Sequence, residues 1–246
     1  MGEGANRTMT FIGHVIQWFL TGAHWQGDAG ILHRLWEHVA MSGASLLTAA
    51  AIALPIGLFV GHVGRGGALA INISNVGRAI PSFALLVLAV EAHLGIGAIP
   101  PYIALVALGV PPIVTNSYLG MREVDADVRE AARGMGMRGF LVLARVEVPI
   151  AVPFIMAGIR TSAVNIVATA TLAAEVAWGG LGRYIVDGFG LQDYTMLYAG
   201  AILVALLALA VDFSLGQLQR ALTPAGIRPA STVDRDTKRA TTLATA

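Results

Sequence analysis

The chain has no cysteine and a single lysine, Lys238, among its 246 residues. The missing thiols exclude disulfides, thiol catalysis and Cys-ligated zinc. The scarcity of lysine excludes something further. A P-loop needs a Lys after its glycine-rich turn to reach the phosphates, and Lys238 lies in "DTKRAT" with no such glycines. ATP hydrolysis by that mechanism does not belong to this chain. Charge is scarce too. Charged residues make up 13% of the sequence, where a soluble domain carries about 25%.

What fills the space is apolar. Hydrophobic residues make up 56% of the chain, and mean hydropathy is +0.70. Val39–Gly61 and Leu94–Met121 carry no charge. Gly66–Val90 is broken only by Arg78, Val148–Ala174 only by Arg160, and Tyr194–Val211 is uncharged again. Each run approaches or exceeds the roughly 20 residues that cross about 30 Å of hydrocarbon as a helix. None alternates as a barrel strand would. The expected fold is an all-α integral membrane protein with five spans within residues 39–222.

Residues 1–38 read differently. Phe11, Ile12, Val15, Ile16, Phe19 and Leu20 form a stripe at helical spacing, and Trp18, Trp25 and Trp36 suit a membrane–water boundary. An interfacial helix is the first expectation, and a sixth span the alternative. "FIGHVIQWFL" is interrupted by His14 and Gln17, and no cleavable signal peptide is expected. The polar tail, residues 223–246, is expected to be disordered.

Arginine placement orients the spans. With the C-terminus inside, the inner segments hold Arg65, Arg122, Arg129, Arg133, Arg138, Arg145, Arg220, Arg228, Arg235, Lys238 and Arg239, against Arg7, Arg34 and Arg183 outside. Eleven against three decides the orientation.

One inner segment stands apart. Arg122–Pro149 holds ten charged residues. Arg122, Glu123, Asp125, Asp127, Arg129, Glu130 and Arg133 alternate in sign, while Val124, Val128 and Ala131 fall three or four apart. The pattern predicts a short amphipathic helix over about 122–135. Asp125 or Asp127 would cap it, and Glu130 could pair with Arg129 or Arg133. Gly134 and Gly136 would supply a terminator and a turn. Ala131 and Ala132 keep one side narrow enough to enter a groove. On these grounds alone a solvated loop helix and a groove-filling helix stand equal. Pro149 suits the first turn of the next span.

"EAARGMGMRGFLVLARVEVP" resembles the EAA loop of ABC-importer permeases: Glu130, Ala131 and Ala132, then Gly136, then Val146-Glu147-Val148-Pro149. "RAIPSFALL", "PPIVTNSYLGMREVD", "PIAVPFIMAGIRTSAV" and "ATLAAEVAWGGLG" are similar to the glycine betaine/carnitine/choline osmoprotectant branch. Thr115 departs from that branch where an arginine is expected, as does Glu175–Trp178, in place of a more apolar run. Both departures leave the solute unspecified.

The resemblance implies a type I permease with a MetI-like five-helix core in a bacterial inner membrane. It would work as a dimer with a second copy or a sister permease. It implies a coupling helix, carrying Arg129, Glu130, Ala131, Ala132, Gly134 and Gly136, that docks on a cytoplasmic ATPase. ATP and Mg would be bound by that partner, and no cofactor by this chain. A substrate-binding protein would deliver solute outside. Nothing points to nucleic acid.

Polar residues within the spans have two readings. Arg78 and Arg160 cost about 2.5–3.5 kcal/mol each at a helix centre, so they must find interior partners or water. Pairing with interior carboxylates or carbonyls is the preferred reading, and shaping the path the other. Asn116, Asn165 and Thr115 complete the path candidates, although many such groups merely bond helix to helix. Trp178, Gly179, Gly180 and Gly182 are candidates for an outer gate or a binding-protein contact, against an ordinary connector.

Rival functions remain in view. An enzyme would need ligand or nucleophile clusters, and "HRLWEH" has the wrong spacing for His-Glu-x-x-His zinc. An ion-coupled secondary transporter would need embedded carboxylates, and Glu91, Glu175 and Asp212 fall near expected span ends. A permease for another small solute, such as an amino acid, is the nearer alternative.

Overall fold

The computed structural model describes residues 2–67, 71–72, 81–94, 96–224 and 226. Every regular element among them is helical. α1 (Gly2–Leu20) leads through a 3-10 turn to α2 (Ile31–Val63). α3 (Ser82–Ala89) runs into a π-turn, Val90–Leu94, and is followed by α4 (Ile99–Arg122), α5 (Ala126–Gly134) and α6 (Gly139–Val142). A second π-turn, Leu143–Glu147, joins α6 to α7 (Val148–Thr169), which tightens into a 3-10 stretch, Ala170–Val176. α8 (Gly182–Gly190) and α9 (Tyr194–Leu222) are the last elements described.

Four helical runs are long and apolar enough to cross a membrane: α2, α4, Gly139–Val176 and α9. The span expected over 66–90 falls partly on residues 68–70 and 73–80, outside the described residues, and α3 is its described apolar part. Arg78 lies in the same undescribed stretch, and nearly all of the tail is undescribed too.

The helices outrun the uncharged segments because the charges at their ends are paired. α2 begins at Ile31, so the boundary expected at residue 38 falls inside a continuous helix. Arg34 and Glu37 neutralise each other there at 2.9 Å. α9 continues past Val211 to Leu222, with Asp212 paired to Arg160 of α7. The run expected to start at Val148 starts at Gly139. Pro149 has no N–H to donate and its ring crowds the preceding turn. The widened turn over Leu143–Glu147 accommodates it, so the helix passes through rather than restarting.

Small residues set the packing. On α2, Ser45, Ala49, Ala53, Gly57 and Gly61 recur every four residues and are all buried. They form one stripe against α4, where a Cβ on Gly57 would lie 2.7 Å from Ser117 Cβ. On the other side of α4, a Cβ on Gly158 of α7 would lie 2.8 Å from Asn116 Cβ. Close backbone approach is how helices gain contact where lipid removes the hydrophobic drive. α4 is therefore the central helix, gripped by α2 and α7. Ala49, Ala53, Ile113 and Val114 make one core cluster, and Met41, Leu105, Ile166 and Ala170 the next.

α9 packs on α7 and α8, and α1 packs on α9. The Phe11 ring meets Tyr198 edge-on, with centroids 5.1 Å apart. The apolar part of α1, Phe11–Leu20, is shorter than a span. Protein contact with α9 holds this helix.

Candidate functional site

The charged segment folds as α5. Asp125 is its N-cap, and its Oδ1 accepts the backbone N–H of Asp127 at 2.8 Å. At the other end Gly136 takes φ +84°, in the left-handed region that favours glycine. Its N–H donates to the Arg133 carbonyl, and the Met137 N–H donates to the Ala132 carbonyl. This is the paired closure of a Schellman motif, which satisfies two carbonyls that the helix end would leave bare. Gly134 is the last helical residue, with open space around it.

The faces of α5 differ from the expected stripe. Because Asp125 caps the helix, Val124 lies ahead of it and is buried separately. Ala132 is the buried residue of α5, whereas Val128, Glu130, Ala131 and Arg133 are exposed. Glu130 makes no ion pair among the described residues. Arg129 takes neither of its helix neighbours and reaches elsewhere.

Arg129 Nε lies 2.8 Å from Glu147 Oε1, and the Glu147 side chain is fully buried. The other carboxylate oxygen accepts from His62 Nδ1 at 2.5 Å. Arg129 Nη2 also donates to the Met121 carbonyl in the last turn of α4. One carboxylate and one guanidinium thus join α5 to α2, to α4 and to the π-turn that feeds α7. In the EAA-like motif Glu147 occupies a position open to any residue, so spacing gave no reason to single it out. The available signal was a lone carboxylate two residues before the proline that opens an apolar run.

A second cluster lies within the membrane run. Arg160 of α7 donates from Nη2 to both oxygens of Asp212 on α9, at 2.7 and 2.8 Å, and from Nε at 3.0 Å. Its Nη1 donates to Gln219 Oε1 at 3.3 Å, and Gln219 Nε2 donates to the Pro153 carbonyl at 3.0 Å. The pairing expected of Arg160 is therefore present, and Asp212 lies within α9. The pair is not sealed: both side chains are about one-third to two-fifths exposed, 34% and 42%. Arg160, Thr161, Asn165 and Asp212 line one open cavity of about 350 Å³.

The other path candidates lie apart from that cavity. Thr115 is buried in α4, and Asn116 Nδ2 donates to the Pro112 carbonyl of its own helix at 2.8 Å. Asn116 supports the proline-bearing turn of α4. Arg160 and Asn165 come together; Thr115 and Asn116 do not join them.

At the end opposite the arginine-rich segments, the Gly-Gly-Leu-Gly turn closes onto α2. Glu37 Oε2 accepts from the Gly180 N–H at 2.8 Å and from Arg34 Nη1 at 2.9 Å. A side chain on Gly179 would collide with the Glu37 carboxylate, and Gly180 has φ +83°. Of the four candidates there, Gly180 and Gly182 are buried within the chain, and Trp178 and Gly179 leave surface for another molecule. Tyr184 adds a bond from its hydroxyl to the Ala29 carbonyl at 2.7 Å. The two histidines of "HRLWEH" serve different ends. His33 Nε2 lies 3.4 Å from Glu37, while His38 is buried and its Nε2 donates to the Val167 carbonyl at 2.9 Å.

Residues 53–225 match the family described as binding-protein-dependent transport system inner membrane component. The carnitine transport permease protein OpuCB of Listeria monocytogenes is 38% identical, over 81% of this chain and 91% of that protein. The choline transport system permease protein OpuBB of Bacillus subtilis (strain 168) is 35% identical, over 87% and 96%. The osmoprotectant import permease protein OsmW of Salmonella typhimurium is 35% identical, over 82% and 96%. A chain of the MetNI methionine ABC transporter, solved in inward-facing conformations, superposes with a TM-score of 0.68 at 25% identity. It covers 78% of this chain, and 96% of that chain is matched. The matched segment runs from the middle of α2 to the end of α9. This chain is a multi-pass membrane protein and belongs to the family of binding-protein-dependent transport system inner membrane components.

Proposed function

We propose that this chain is the membrane permease of an ATP-driven importer for small quaternary-ammonium osmoprotectants such as carnitine, choline or glycine betaine. A separate ATPase docks on α5 at the cytoplasmic face of a bacterial inner membrane, and ATP and Mg bind there. An extracytoplasmic binding protein delivers solute at the opposite end, where Trp178 and Gly179 offer surface. A second copy or a sister permease completes the path.

The observation that carries this reading is the unpartnered face of the arginine-rich end. Val128, Met135 and Phe140 are 42%, 72% and 79% exposed beside Glu130 and Arg133. Exposed apolar side chains rimmed by charge mark a protein or membrane contact, and the charges along α5 favour a protein. The substrate class rests on the names of the relatives and on the cavity at Arg160. There the guanidinium is neutralised by Asp212, so a cationic or zwitterionic solute meets no uncompensated positive charge, and Asn165 and Thr161 offer neutral polar groups.

The test is reconstitution in proteoliposomes with the ATPase and binding protein. ATP hydrolysis is expected only when both subunits are present, with stimulation by the loaded binding protein. Labelled carnitine, choline and glycine betaine should enter, with methionine as the comparison solute. Uptake driven by an ion gradient without the ATPase would overturn the ATP-driven reading. Preference for methionine would overturn the substrate class alone.

A further inference from the structure

We propose that Glu147 is a positioning residue for transport: the buried strut through which displacement of α5 reaches α2 and α7. The inference rests on the proposed docking of an ATPase on α5. Covalent connection between α5 and α6 runs through the turn at Gly136, whose left-handed backbone has open space around it. Two backbone hydrogen bonds close that turn and tie α5 to α6 alone. The side chains add a second link, in which Arg129 Nε and Glu147 Oε1 form an ion pair at 2.8 Å without the alignment of a hydrogen bond. Glu147 divides its two oxygens between Arg129 of α5 and His62 near the end of α2. Arg129, in turn, also holds the Met121 carbonyl of α4.

Burial makes this link hard to stretch. The Glu147 side chain has no exposed surface, and those of Arg129 and His62 are 15% and 20% exposed. Separating a carboxylate from its partners in such a place leaves a desolvated charge, so the groups move together or not at all. Glu147 also ends the π-turn, a helical defect that can change register without breaking the run. A pull on its carboxylate therefore acts on the turn that leads directly into α7.

Because this chain has no cysteine, labels can be placed on it at chosen sites once any cysteines of the partner subunits are replaced. Glu147→Gln keeps shape and removes charge. The expected result is retained assembly with the ATPase and retained ATP hydrolysis, with uptake per ATP reduced about tenfold, within the range of site-to-site coupling. Spin labels at Arg133→Cys on α5 and Ala168→Cys on α7 should keep one distance on ATP binding in the parent. In Glu147→Gln that distance should broaden. Parent-level uptake per ATP in Glu147→Gln would overturn the strut while leaving the ATPase reading intact. Failure of the parent complex to couple ATP to uptake would sink the latter. If Glu147→Gln does not reach the membrane, His62 decides the question. His62→Asn keeps a donor near Nδ1 and should retain coupling, whereas His62→Leu removes it and should lower uptake per ATP. Equal coupling in those two variants would count against the strut.

Discussion

Two buried or half-buried carboxylates, Glu147 and Asp212, set the terms at the residue scale. An arginine reaches each, at 2.8 Å for Glu147 and 2.7 Å for Asp212, and His62 holds the other oxygen of Glu147. The Asp212 pair is the easier to test for stability, since its partners sit on different helices and are partly exposed. Arg160→Ala should lower the thermal unfolding temperature in detergent micelles by stranding Asp212. Asp212→Ala should do the same by stranding Arg160. The double variant should be less destabilised than the sum of the two, with an interaction energy of about 1 kcal/mol or more. Additive effects would mean that the pair is incidental. The asymmetry between breaking a pair and removing it is the physical content here.

At the element scale, the ends of α5 and the stripe on α2 make opposite demands on glycine. Gly136 needs a left-handed backbone, which costs an L-residue roughly 1–2 kcal/mol. Gly134 is helical with free space. Gly136→Val should speed hydrogen exchange at the Met137 amide and reduce ATP-coupled uptake, while Gly134→Ala should preserve both. Equal uptake in the two variants would remove the turn from the mechanism. On α2 the demand is for space. Gly57→Leu would drive its side chain into Ser117 and the Val114 carbonyl, an overpacking cost of about 1–3 kcal/mol. Gly43→Ala meets nothing within 4 Å and should be close to neutral. Thermal unfolding of the two variants side by side measures the difference.

These local features were the legible ones. A cap at Asp125, a left-handed glycine after the helix and apolar runs of membrane length all express interactions within a few residues, which periodicity and spacing record. The partners of the charged residues were not legible. Glu147 meets His62 from 85 residues away, and Glu37 meets Gly180 from 143 away. No spacing rule spans such distances, because the pairing is decided by which helices pack together. Pairing moved the helix ends as well. A charge that is paired no longer terminates a helix, so α2, with Arg34 and Glu37 paired along it, and α9, with Asp212 paired to Arg160 of α7, extend beyond their uncharged cores.

For the whole molecule, the open cavity beside Arg160 poses a problem that the single chain does not solve. An ion pair one-third exposed midway along a membrane run cannot face hydrocarbon without a cost of a few kcal/mol. Something polar must cover that face, and a second permease enclosing water between the two copies would do so. Nearby positions on α9 have no such need. Leu206 and Leu209 are exposed and apolar, suited to lipid. The contrast gives a direct test in the cysteine-free chain. Thr161→Cys, on the cavity wall, should react with a membrane-impermeant charged thiol reagent in the assembled transporter, and bound substrate should slow that reaction. Leu209→Cys should stay unreactive. If both cysteines react alike, or neither does, the Arg160 face is not the wetted side, and the path must run along another surface of the bundle.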